Sequence, residues 1–167
     1  SSHNPPLGQT PAGTLMRLLI AACSAPYRPQ ALLALFKHPL CALHMPGAEK
    51  RKWARQLDRD WRGLARHTNL NQALASLAEG EAPNGLATCL TTLQALAAQP
   101  RSTLAEHIKA VSQCLRQLCL NDTGVCQMAA HADGQALLNW ADELAEQHSI
   151  KLEIGWHNAE AVYESLL

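Results

Sequence analysis

The 167-residue chain is predicted to be all-α, an irregular bundle of about seven or eight helices. Three observations carry that prediction. Hydrophobic residues make up 47% of the chain but aromatics only 4%, so the core must be built from Leu and Ala. Those are strong helix formers, while the β-branched and aromatic residues that favour strands are scarce. The third observation is spacing: apolar residues recur at three- and four-residue intervals along most of the sequence.

The N-terminal residues 1–9 are polar and irregular. Thr10-Pro11 then reads as an N-cap followed by proline at the first helical position, with Leu15, Leu18, Leu19 and Ala22 behind it. Tyr27-Arg28-Pro29 opens a second helix through Leu32, Leu33 and Phe36. Pro39 ends it, because proline disfavours helical geometry in the residue before it. Pro46-Gly47 is a break. A third helix is expected from about Ala48 to Arg66. On it Trp53, Leu57, Trp61 and Leu64 form one stripe, and Arg51, Arg55, Arg59, Arg62 and Arg66 form another on the opposite side. Asn69 to Leu77 reads as a short helix, followed by a loop at 79–85. Leu86, Leu90, Leu93 and Leu96 mark the next helix. Thr103-x-x-Glu106 is a capping box for a helix through Leu118. Asn121 to Gly124 breaks the chain, Leu137 to Leu144 define a further helix, and Asn158 is expected to cap a final one. Lys151 to Trp156 alternates like a strand but lacks an evident partner, so extended loop is expected. All 167 residues are expected to form one domain. The opening has no starting Met, so the chain is expected to be a processed or cut-out piece of a longer protein.

Charge is zero overall but uneven. Residues 1–66 carry ten Lys/Arg against three Asp/Glu, and residues 67–167 carry four against eleven. A basic half suits a polyanion or an acidic partner. There is no signal peptide and no apolar run of eighteen residues, so a cytoplasmic protein with no membrane segment is expected. The six cysteines form no Cys-x-x-Cys pair, and they read as reduced core thiols.

The chain lacks a phosphate-binding glycine loop, a nucleophile elbow, a His-Glu-x-x-His motif and a clustered acid–lysine nuclease pattern. Asp142 and Glu143 are adjacent on a helix and point in different directions, as solvated surface. His38-x-x-Cys41-x-x-His44 is the best metal candidate, and a small metalloenzyme built on it is one alternative. The simpler expectation places His38 at a helix end, where a partly positive imidazole suits the dipole, and Cys41 in the core. Cys114, Cys119 and Cys126 are expected to be core thiols too. The arginine stripe is the strongest surface feature, since a row of guanidiniums can neutralise successive phosphates without reading sequence. Trp53 and Trp61 could stack on bases, but their match to the Leu periodicity assigns them to packing.

Three stretches carry a family resemblance: Pro6-Leu7-x-x-Thr10-Pro11-x-Gly13 with Leu18-Leu19, then Leu32 to Leu40 with its Lys37-His38-Pro39-Leu40 string, then Trp61-Arg62-Gly63. Together they resemble the middle of the AddB-type B subunit of the AddAB helicase–nuclease, which resects DNA double-strand breaks for repair by recombination. The resemblance implies a helical insertion within a superfamily 1 helicase-like lobe. The family commonly has Leu-Arg-Gly where this chain has Trp61-Arg62-Gly63, and the Pro-Arg-Pro that often follows is absent. The family's motor motifs, nuclease motif and iron–sulfur cysteines lie elsewhere in the subunit. The resemblance therefore assigns no catalytic residue and no cofactor here. It implies a non-catalytic scaffold that handles DNA within the larger enzyme, set against the rest of its own polypeptide and expected to contact the A subunit or the single-stranded DNA passing through the complex. The alternative is a stand-alone helical adaptor that docks proteins and has no nucleic-acid role.

Overall fold

A computed structural model describes residues 6–62, 67–79 and 85–167. Among these are eight α-helices: α1 (Pro11–Cys23), α2 (Pro29–Lys37), α3 (Gly47–Trp61), α4 (Leu70–Glu79), α5 (Leu86–Ala97), α6 (Leu104–Leu118), α7 (Ala132–Ala145) and α8 (Ala159–Leu166). The all-α expectation holds. Two short strands, β1 (Ser102–Thr103) and β2 (Glu153–Ile154), pair antiparallel. That corrects the loop expected at Lys151–Trp156: its partner is the approach to α6, some fifty residues earlier.

The bundle is organised around α1 and α6. Helix α1 packs on α2, α5, α6, α7 and α8, and α6 packs on α5 and α7. Leu15, Met16, Leu19 and Ile20 from α1 are fully buried, as are Ile108, Val111, Leu115 and Leu118 from α6. These are the apolar spacings of the sequence, turned inward. Helix α3 lies at the periphery and packs principally on α2, as α4 does on α5.

The helix ends follow the capping chemistry with two departures. Thr10 Oγ1 accepts from the Gly13 amide at 3.1 Å and opens α1 as expected. Thr103 Oγ1 accepts from the Glu106 amide at 3.3 Å at the start of α6. Asn158 precedes α8 but does not cap it with its side chain. Its Oδ1 instead accepts from the Gly155 amide at 2.9 Å, so it shapes the loop after β2. The second departure is at α3, which stops at Trp61. Arg62 is already extended, with ψ 127°, so the helix is shorter than the expected Ala48–Arg66.

The His38–His44 segment forms a cap for α6 supplied from far away in sequence. The last carbonyls of a helix have no partner within it. Here Ala42 and Leu43 donate their amides to the Leu118 carbonyl at 2.9 and 3.0 Å, and His44 N donates to Leu120 O at 2.7 Å. His44 Nε2 donates to the Gln117 carbonyl at 3.0 Å. Leu43 and His44 reach these partners in left-handed backbone conformation, with φ 54° and 62°. Gly85 packs against this turn. Its own φ is +91°, and a Cβ there would lie 2.6 Å from His44 Cβ, so the position requires glycine on both counts.

The uneven charge is partly matched inside the bundle. Arg17 of α1 pairs with Glu164 at 3.1 Å, and Arg28 with Glu160 at 2.7 Å. Both pairs join the basic N-terminal half to the acidic α8. No helix is long and apolar enough to cross a membrane among the described residues.

Candidate nucleic-acid interface

Helix α3 has a core side and a charged side, as its sequence demands. Lys50, Ala54 and Leu57 are buried, and Trp53 and Trp61 are half-buried. Trp53 meets Phe36 of α2 edge-on, with ring centroids 5.5 Å apart, and Trp61 lies 5.7 Å from the His67 ring. Both tryptophans are partly buried against the core, as their periodicity assigns them.

Arg51, Arg55, Arg59 and Arg62 are exposed on the other side. Arg66 lies outside the described residues. At 1.5 Å rise per residue, Arg51, Arg55 and Arg59 are about 6 Å apart along the helix axis. Their electrostatic situations differ. Arg62 pairs with Asp58 at 3.0 Å, and Lys37 of α2 reaches the same Asp58 oxygen at 3.1 Å. Hydrogen bonds from Arg62 and Lys37 hold the Asp58 carboxyl below the usual carboxylate range. Asp58 therefore tethers α2 to α3 and neutralises the end of the stripe. Arg59 donates to Gln56 Oε1 at 2.6 Å, and Gln56 Nε2 donates to Asp60 at 2.8 Å. Among the described residues, Arg51, Arg55 and Arg59 form no ion pair. The available cations are thus the first three of the stripe, joined by exposed Lys52, which the sequence analysis did not single out.

Lys50 was also missed. It stands between Glu49 and Arg51 in a charged run that reads as surface, yet it is only 4% exposed. Its ammonium donates to the His38 carbonyl at 2.7 Å. Burial pushes its pKa below the ordinary lysine value. The signal was positional, because 50, 54, 57 and 61 share one helical face.

The His38, Cys41 and His44 pattern is taken up by structure. His38 is the C-cap of α2, and its Nδ1 accepts from the Leu40 amide at 3.1 Å. Burial and the nearby Lys50 push its pKa down, so the helix-end position holds but the expected positive imidazole does not. Cys41 is fully buried, with its pKa pushed up to about 12 by desolvation. His44 is committed to Gln117. No group of three or more His, Cys, Asp or Glu is arranged to hold a metal ion among the described residues.

Cys114 and Cys119 are core thiols as expected, but Cys126 is only half-buried. It follows the Asn121–Gly124 turn and stands in a β-bridge with Leu120. The Cys119 thiol hydrogen-bonds to it and lowers its pKa to about 6, with help from the Ala129 and Met128 amides and Arg116. It is the one cysteine of the six that departs from the expectation of an inert core thiol. No protein-family model, curated protein or solved structure matches the chain.

Proposed function

We propose that the domain is a non-catalytic helical scaffold that contacts single-stranded nucleic acid through the exposed face of α3. The observation that carries this reading is the row Arg51, Arg55 and Arg59. The three are one helical turn apart, exposed and outside any ion pair among the described residues, with the Arg51 guanidinium turned back towards Gly47 at the start of the row. Helix α3 packs on α2 by its opposite side, which leaves the row open to a ligand. Such a row binds phosphates by charge and position, without sequence readout. The resemblance of residues 6–63 to the AddB-type subunit supports the same reading. In that setting the domain serves a double-strand-break repair helicase–nuclease in the cytoplasm, against its A subunit and the remainder of its own polypeptide.

The test is a titration of the purified chain with a fluorescent thymidine oligonucleotide at low salt. Micromolar binding that is lost in Arg55→Ala/Arg59→Ala supports the proposal. Undetectable binding, or binding unchanged in that variant, contradicts it.

A further inference from the structure

A cavity of about 330 Å³ opens where the end of α2, the first turn of α3 and the Asn121–Gln127 segment meet. Its polar lining comprises Lys37, Lys50, Arg51, Asn121 and Gln127, with the Gly47 backbone beside them. No carboxylate lines it. Three further observations bear on what it would hold.

The first is Lys50. A buried ammonium has three donors and costs free energy unless it is paired. Lys50 uses one donor on the His38 carbonyl, and it has no counter-ion among the described residues. The second is the start of α3. Its N-cap is Pro46, which supplies no capping side chain, so the first amides of this 15-residue helix lack that partner. Glu49, the one acidic residue of that turn, is exposed and makes no ion pair among the described residues. Arg51 folds back over this turn, since its Nη1 lies 3.2 Å from where a Gly47 Cβ would stand. A guanidinium over the positive end of a helix is mildly unfavourable at an exposed site, and an anion between them would relieve it. The third is Asn121. Its Oδ1 already accepts from the Thr123 amide, the Thr123 hydroxyl and the Val125 amide at 2.9–3.0 Å. Its NH₂ is the side-chain group those bonds leave unused, and the residue lines the cavity.

We infer that this cavity is a binding site for a phosphate group, held by Lys50, Arg51, the first amides of α3 and the Asn121 amide. An oxyanion there takes the unused Lys50 donors, sits on the helix N-terminus and screens Arg51 from the helix dipole. The site does not rest on the nucleic-acid reading of the outer face. The phosphate could be free or could be the terminal phosphate of an oligonucleotide strand.

The experiment is calorimetric titration of the full chain with inorganic phosphate, followed by thymidine oligonucleotides carrying a 5′-phosphate or a 5′-hydroxyl. Two variants accompany it. Lys50→Met removes the buried charge. Asn121→Asp keeps the acceptor oxygens of the turn but replaces the donor with a negative oxygen. It decides the matter alone if Lys50→Met does not fold. The wild type is expected to bind phosphate, and each folded variant to bind it at least about tenfold more weakly, a change of about 1.4 kcal/mol. Arg55→Ala/Arg59→Ala should bind phosphate like the wild type, so failure of the outer face and failure of this site are separate results. Given phosphate binding, preference for the 5′-phosphorylated strand identifies a strand end as the source, and equal binding of the two strands identifies a free phosphate compound. No phosphate binding by the wild type, or binding unchanged in both variants, overturns the proposal.

Discussion

His44 Nε2 donates to the carbonyl of Gln117 at 3.0 Å across 73 residues of sequence, so a histidine from the loop before α3 closes the end of α6. Removing it leaves the Gln117 carbonyl with the longer 3.3 Å bond from the Leu120 amide. His44→Ala is expected to destabilise the chain by about 0.5–1.5 kcal/mol in urea unfolding. No change in the midpoint would show that the contact contributes nothing.

His107 of α6 is 1% exposed, bonds Tyr163 through Nδ1 at 2.8 Å and packs at a tilt against Trp156, with ring centroids 4.7 Å apart. Its Nε2 is buried without a partner among the described residues. Desolvation lowers its pKa to about 4 from 6.5. A base with a lowered folded pKa binds fewer protons folded than unfolded, so stability falls as pH drops from about 6.5 towards 4. The slope approaches about 1.4 kcal/mol per pH unit within that window. His107→Gln should flatten this part of the stability–pH curve. An unchanged curve would place the titration elsewhere.

Cys126 should be the fast-reacting thiol of the six. Its pKa of about 6 makes it largely thiolate at neutral pH, whereas Cys23, Cys41 and Cys89 are pushed up to about 12 by burial. Alkylation of the native protein at pH 7, read by peptide mass mapping, should label Cys126 first. Equal labelling of several cysteines would contradict the environment described for it.

Asp58, its side chain 16% exposed, is shared by the exposed cations Lys37 and Arg62. Such pairs contribute little to stability, so Asp58→Asn should leave the melting temperature nearly unchanged. It also frees two cations beside the arginine row. Oligonucleotide affinity at low salt should therefore rise severalfold, and a fall would count against the α3 face as the contact.

The parts of the fold written in local spacing were legible in the sequence. Helix order, the Thr10 cap and the outward arginines follow from residues within one or two turns of each other. What was not legible depends on distant partners. The pairing of Ser102-Thr103 with Glu153-Ile154 is two residues long and joins segments about fifty residues apart in sequence. Lys50 reads as surface because its neighbours are charged, and only its place on the Ala54–Leu57 face buries it. Cys126 resembles the core thiols in sequence. The turn at Asn121–Gly124 folds it back beside Cys119, and that contact changes its chemistry.

The central claim is that Arg51, Arg55 and Arg59 bind phosphates by charge. Its most direct measurement is the salt dependence of single-stranded oligonucleotide binding. Each phosphate neutralised on a single strand contributes about −0.7 to the slope of log K against log salt. Three available arginines predict a wild-type slope near −2, reduced in magnitude by about 1.4 in Arg55→Ala/Arg59→Ala. A slope near zero in the wild type, or one that the double substitution leaves unchanged, would contradict the account.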